Sequence, residues 1–120
     1  MIGKEDENLF RVMGAFGAGL GSNGEVCGAI VGALTVVGLR FGRVRETEEV
    51  DPRVYQYARE ILRRFPEEIA HGKILCREIA EVDWLDVEQV KAFREGEKRR
   101  ECARITSETA RLVGEILQRR

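Results

Sequence analysis

The C-terminal part of the chain carries the feature that most limits its fold, a stripe of apolar and small side chains at helical spacing. The stripe comprises Cys102, Ile105, Thr109, Leu112, Val113, Ile116 and Leu117. Residues three and four apart lie on one face of an α-helix, so the spacing predicts an amphipathic helix with that face against a core. Glutamates and arginines lie between these positions, as is typical of the solvent-exposed face of such a helix.

Shorter segments in the first half of the chain have the same helical spacing. Apolar residues from 9 to 16 predict a short helix, and a second helix is predicted from about Glu25 to Arg40. A third follows Asp51 and Pro52, because aspartate is a good N-cap and proline fits the first helical position. Pro66 is predicted to end this third helix.

The absence of strand patterns fixes the predicted fold class. Asp86 and Gln89 resemble a capping box at the start of a further helix, and no segment of the sequence alternates convincingly with a period of two. We therefore predict an all-α fold. It is a single compact domain of about five helices over residues 1–120, with a glycine-rich connection before the second helix.

Charge and hydropathy exclude several classes of function. The 120 residues carry a formal net charge of −1, so no overall field attracts nucleic acid or an anionic membrane. The longest nearly uncharged apolar stretch, residues 26–39, is shorter than the roughly 20 residues that span a bilayer. The acidic start of the chain lacks the basic and apolar regions of a signal peptide. We therefore expect a cytoplasmic protein that neither binds nucleic acid nor inserts into a membrane.

The chain has three cysteines, Cys27, Cys76 and Cys102, and each is predicted to lie on or beside an inward-facing helix stripe. An odd number of cysteines without an export signal argues against a disulfide scaffold. Their spacings match neither a C-x-x-C zinc pattern nor a ferredoxin pattern. The positions fit three buried thiols that serve only packing, and they fit equally well three ligands that converge on one site.

Glycines surround the first of these cysteines. Gly24, Gly28 and Gly32 are four residues apart, so we expect them to line one face of the second helix. Each glycine inside a helix costs about 1 kcal/mol relative to alanine, which predicts a compensating close approach of another helix or of a cofactor. Residues 19–24 also match the letters of the dinucleotide fingerprint G-x-G-x-x-G. Because a helical pattern rather than a strand precedes them, we interpret them as a helix–helix connection.

The single histidine, His71, lies in a polar linker shortly before Cys76. A lone exposed histidine seldom has a role in chemistry, so we expect no ligand or proton-transfer function for it. The carboxylates occupy predicted helix faces rather than a catalytic pair.

The run from Cys27 to Gly32 reads C-G-A-I-V-G, and it is followed by "ILCRE" around Cys76 and "EC" at Cys102. Together these segments resemble the redox-active protein family that is named for a C-G-A-x-x-G motif and further cysteines. The resemblance covers nearly the whole chain, and the glycine turn is its most specific part. Members of the family carry four characteristic cysteines. A related domain in the split-Soret cytochromes is associated with an iron–sulfur site.

The resemblance implies a redox or cluster-binding function, with Cys27, Cys76 and Cys102 as the matching cysteines. The family's first cysteine lies in an additional N-terminal helix, upstream of the point where this sequence begins. We therefore expect that the chain lacks that helix, works with three thiols, or has lost the activity. Four thiolates from one copy of the chain are excluded by the count of three cysteines.

From these observations we expect a small redox-active or metal-binding protein that uses the three cysteines as ligands, with Gly28 and Gly32 beside the bound group. Thiolate ligands suit iron–sulfur clusters and zinc best. We expect an iron–sulfur cluster, with zinc, or no metal, as the alternative. An iron–sulfur carrier would exchange electrons with a redox partner. The alternative function is a helical interaction module with inert thiols, expected to form a homodimer, and a thiol–disulfide exchange enzyme is a third interpretation.

Overall fold

The computed structural model describes residues 6–119, which form six α-helices. They are α1 (Glu7–Val12), α2 (Gly28–Phe41), α3 (Arg53–Arg64), α4 (Cys76–Ala80), α5 (Val87–Glu95) and α6 (Lys98–Leu117). A 3₁₀ turn, Met13–Phe16, follows α1, and a π-helical turn, Phe65–Ile69, follows α3. The described residues contain no β-strand, only one isolated bridge between Val26 and Leu75. The all-α prediction is confirmed.

The core lies where α2, α3 and α6 pack together. Its fully buried side chains include Ile30 and Val37 of α2, Ile61 of α3, Phe65 of the π-helical turn and Ile116 of α6. Burial of each such side chain contributes about 1.5–3 kcal/mol. The stripe predicted for the last helix is confirmed, since most of its members are buried in this core.

Two details of the helices differ from the sequence-based expectations. Pro66 does not end the helical path after α3. The chain continues as a wider π-helical turn, in which the Ala70 N–H donates to the Phe65 carbonyl at 2.9 Å, five residues back. Proline cannot donate to the preceding turn, and a locally widened turn accommodates the missing hydrogen bond. The second difference is that α2 begins at Gly28 rather than near Glu25.

A left-handed loop connects the 3₁₀ turn to α2. Five consecutive residues have positive φ, at Ala18 (49°), Gly19 (71°), Leu20 (64°), Gly21 (64°) and Ser22 (62°). Backbone hydrogen bonds span four to six residues within this segment, and the Gly21 N–H donates to the Ala15 carbonyl at 2.7 Å. Because non-glycine residues avoid this conformation, the loop holds strain of about 1–2 kcal/mol at each of its three non-glycine positions. The predicted glycine-rich connection is therefore an ordered element with its own hydrogen bonds.

No helix in the described part of the chain is both long and apolar enough to cross a membrane.

The loop provides a matched pair of substitutions that separates conformational strain from steric collision. A Cβ at Gly19 would lie 2.6 Å from the Cys76 Cβ, whereas a Cβ at Gly21 would meet nothing closer than 3.5 Å. Gly19→Ala is expected to lower the free energy of unfolding by about 2–5 kcal/mol, the sum of left-handed strain and collision. Gly21→Ala is expected to cost only the strain, about 1–2 kcal/mol. Backbone atoms of Gly24 and Glu25 lie about equally close to the added Cβ at Gly19. Urea unfolding of both variants measures the difference, and equal losses would contradict the close packing described at Gly19.

Candidate thiol site

A short antiparallel pairing brings Cys27 and Cys76 together. The Cys27 N–H donates to the Ile74 carbonyl at 2.9 Å, and the Cys76 N–H donates to the Glu25 carbonyl at 2.7 Å. Cys27 and Cys76 each follow a residue of the isolated bridge between 26 and 75. Successive side chains of an extended segment point to opposite sides, so both cysteines lie on the side away from the bridged pair.

Each of these two cysteines also begins a helix. Cys27 is the N-cap of α2, and Cys76 is the first residue of α4. The predicted start of α2 near Glu25 is wrong because residues 25–27 are extended and give their backbone groups to the pairing. The sequence pattern gave no sign of this pairing, because a bridge of one residue pair is too short to have a period.

Gly24 allows the chain to pass close to Trp84 and α4. A Cβ at Gly24, where φ is 70°, would lie 2.9 Å from the Arg77 Cβ and 3.3 Å from the Trp84 Cδ1. The Arg77 N–H donates to the Gly24 carbonyl at 3.1 Å. Gly24 therefore belongs to the loop and the pairing, outside α2, and does not share a helix face with Gly28 and Gly32 as predicted.

Cys102, on α6, completes a cavity of about 630 Å³ that all three cysteines line. Trp84 and Phe93 also line it, and their rings meet edge to face with centroids 5.0 Å apart. We call this part of the cavity, formed by the three cysteines with Trp84 and Phe93, the thiol end.

The rest of the cavity is a groove between α2 and α6. Its walls include small and β-branched residues of the two helices, and Met13 and Phe16 of the 3₁₀ turn also line the cavity. The helix residues are Gly28, Ala29, Gly32, Ala33 and Val36 on α2 and Thr106, Thr109, Ala110 and Val113 on α6. We call this part the α2–α6 groove.

The two predicted cofactor-binding glycines both line the cavity but differ in their surroundings. A Cβ at Gly28 would lie 3.1 Å from the Phe16 carbonyl oxygen, so the 3₁₀ turn packs closely against this residue. A Cβ at Gly32 would have no neighbour within 4 Å. The expected close contact therefore exists at Gly28, whereas Gly32 opens onto the groove.

Burial keeps two of the thiols protonated. It raises the pKa of the Cys76 thiol, an effect that the Trp84 indole partly offsets. It raises the pKa of Cys102 to about 11, with a smaller contribution from the other two thiolates. Burial disfavours the thiolate most, and the charged forms of the cysteines also repel one another, so the uncharged thiol is the favoured state of Cys76 and Cys102 near neutral pH.

Trp84 brings a buried polar group to the thiol end. Its indole Nε1 is the one buried side-chain nitrogen or oxygen without a hydrogen-bond partner among the described residues. The indole nevertheless lies close enough to Cys76 to lower the pKa of that thiol, and an anionic or metal-bound sulfur would be a stronger acceptor for its N–H. Nothing in the sequence pattern distinguished Trp84 or Phe93 as site residues, since both read as ordinary core aromatics.

His71 lies apart from this site. Its side chain is 75% exposed and its Nε2 is 3.4 Å from Glu101, and it is not among the residues that line the cavity. Within residues 6–119, no three histidine, cysteine or acidic side chains are placed so that they could hold one metal ion together.

The comparison with protein-family models gives a match over residues 1–116, to the family described as "Putative redox-active protein (C_GCAxxG_C_C)". The chain belongs to this family. The resemblance noted in the sequence is confirmed, and membership supports a redox-active role in general. No curated protein and no solved structure matches the chain at a significant level.

The printed pattern of the family has four cysteines, of which this sequence contains three. The central motif reads Cys27-Gly28-Ala29 here, so its first two letters stand in the opposite order to the printed name. All three cysteines of the chain lie within the matched residues, and all three line the cavity.

The raised pKa values predict slow alkylation of the folded chain. At pH 8 a thiol with a pKa of about 11 is about 0.1% thiolate, against about a quarter for an unperturbed cysteine. Iodoacetamide should therefore label Cys102 at least a hundredfold more slowly in the folded chain than in urea, by roughly the ratio of those fractions. The labelling rate should rise about tenfold per pH unit until the pH approaches the pKa. Mass spectrometry of the peptides follows each cysteine separately, and equal rates in the folded and unfolded chain would contradict the described burial.

Proposed function

We propose that the chain is a small electron-transfer protein whose three cysteines act together at the thiol end of the cavity. The observation that carries the proposal is that Cys27, Cys76 and Cys102, from three separate parts of the sequence, line one cavity. Inert core thiols would have no reason to meet at an open cavity. Membership of the redox-active family supports the same general role.

We further propose that these cysteines bind an iron–sulfur cluster. Thiolates are the ligands that such clusters use, and a cluster, which is larger than a single ion, can be held by sulfurs placed around a space. The cavity of about 630 Å³ offers that space, and the unpaired Trp84 N–H is a suitable donor to a cluster or thiolate sulfur. Bound there, the cluster would supply one-electron transfer. The protein would contribute the three thiolates, the indole donor and an apolar surround.

The N-terminus of α2 favours negative charge at the thiol end of the cavity. This helix is 14 residues long and Cys27 is its N-cap, so the partial positive charge of its N-terminus lies beside that residue. Negative charge gathered by the three thiolates is therefore placed at the favourable end of this helix. Three protein ligands also leave one position of a four-ligand site to a small ligand or to a partner, so we expect the bound cluster to be labile in air.

One observation favours the alternative function, a helical interaction module with inert thiols. The pKa values of Cys76 and Cys102 are raised, so most of these thiols carry their protons near neutral pH and react slowly. Metal binding removes those protons and is therefore expected to strengthen as the pH rises. The two functions differ in whether the folded chain takes up iron at all.

Anaerobic reconstitution with iron and sulfide tests the proposal. The wild-type chain is expected to develop visible absorption and to bind iron, and Cys27→Ser, Cys76→Ser and Cys102→Ser are each expected to lose most of both. His71→Ala is the matched control, because this residue is exposed and lies outside the cavity lining. It should leave the signal nearly unchanged.

Circular dichroism of each variant separates a lost ligand from a lost fold. Folded wild-type protein that takes up no iron, or a serine variant that binds as much as the wild type, would contradict the cluster proposal. Equal iron binding by the chain unfolded in urea would also contradict the cluster proposal, since that binding would not depend on the cavity.

A further inference from the structure

The lining of the cavity is uncharged, in a chain in which 34% of the residues are charged. Among residues 6–119, none that lines it is aspartate, glutamate, lysine, arginine or histidine. The two threonines of the α2–α6 groove donate their hydroxyl protons to their own helix, Thr106 to the Cys102 carbonyl at 3.0 Å and Thr109 to the Ile105 carbonyl at 2.7 Å. The groove therefore offers a ligand apolar contact and no counter-charge.

This chemistry selects the class of molecule that can enter. Transfer of an ionised group into an apolar cavity without a partner is strongly unfavourable, so phosphates, carboxylates and nucleotides are poor candidates. The whole cavity, thiol end included, has a volume of about 630 Å³, within the range of about 300–1,000 Å³ for small-molecule sites. Glycine and alanine on the α2 wall make that wall nearly free of protruding side chains. The groove thus suits an uncharged molecule with a flat apolar body.

We propose that the α2–α6 groove binds an uncharged quinone-type ring compound next to the thiol end. The choice of class rests on the redox function proposed above, because a molecule in this groove lies beside the three cysteines, and quinones are uncharged apolar ring compounds that accept electrons. The binding itself depends only on the apolar groove. It is therefore tested on the metal-free chain, independently of iron uptake.

Equilibrium dialysis with duroquinone tests the proposal. This quinone carries a methyl group at every ring position, so it does not alkylate thiols by simple addition. A saturable complex with one molecule per chain is expected, and anthraquinone-disulfonate, which is charged, is expected not to bind. Trp84, the only tryptophan in the chain, lines the cavity, so its fluorescence should be quenched by duroquinone with the same saturation.

Two glycine variants of α2 locate the site. Gly32→Leu places a side chain in the groove where a Cβ has no neighbour within 4 Å, so the fold should tolerate it while the groove is filled. Binding is expected to weaken by about tenfold or more, because a filled pocket loses most of its ligand contacts. Gly38→Leu is the matched control, since it lies on the same helix, is exposed, has the same open space and does not line the cavity.

The possible results either support or overturn binding in the α2–α6 groove. Saturable binding that Gly32→Leu weakens and Gly38→Leu leaves unchanged supports the proposal. The proposal is overturned if duroquinone does not bind, if the charged quinone binds equally well, or if both leucine variants bind like the wild type. Thermal unfolding of Gly32→Leu is measured alongside. If that variant is unfolded, Gly32→Ala, which fills less of the groove, takes its place, with Gly38→Ala as its control.

Discussion

The site depends on three backbone hydrogen bonds between residues 24–27 and 74–77. They join the segment before α2 to the segment before α4, across about fifty residues of sequence that contain α3 and the π-helical turn. Because the paired segments are extended where they meet, Cys27 and Cys76 fall on the same side and each then begins a helix. α2 and α4 also both pack against α6, so the pairing and the helix packing together fix the positions of the two cysteines.

The left-handed loop that precedes the paired segment costs conformational free energy. Three non-glycine residues with positive φ hold strain that persists only where the surroundings determine the backbone. Here the surroundings are the close approach of Gly19 to Cys76 and of Gly24 to Trp84. The core of α2, α3 and α6, buried independently of the loop, provides the stability that offsets the strain. Among the described residues, His71 and Glu81 also have positive φ, so the left-handed loop holds most, but not all, of the strained non-glycine backbone.

The sequence predicted those features that repeat along the chain. The stripe of α6 and the all-α class follow from helical periodicity, and they are confirmed because each depends on many residues. The inward positions of the three cysteines follow from the same patterns, and membership of the family was predicted from a few residues around Cys27. Their common cavity was a hypothesis, and it is what the structure describes.

Features that depend on a single contact were missed. The pairing at Val26 and Leu75 has no period, and the role of Gly24 follows from its neighbours Arg77 and Trp84 rather than from its distance to Gly28. The π-helical turn was missed because proline usually ends a helix, and here the chain widens its hydrogen bonding instead. Phe10 and Val12 of α1 are largely exposed, so apolar spacing there did not indicate burial.

The same burial that gathers the thiols also opposes charge on them. An uncharged cavity lining favours the protonated thiol, and the raised pKa of Cys102 expresses that preference. A bound cluster would reverse it, since metal ligation requires thiolates and releases their protons. Apart from the weaker attraction of Lys98 for the Cys102 thiolate, two features at the thiol end favour negative charge, the indole N–H of Trp84 and the N-terminus of α2 at Cys27. Both lie beside sulfur atoms, whereas the α2–α6 groove has neither, so the cavity divides into an end suited to anionic sulfur and a groove suited to uncharged molecules.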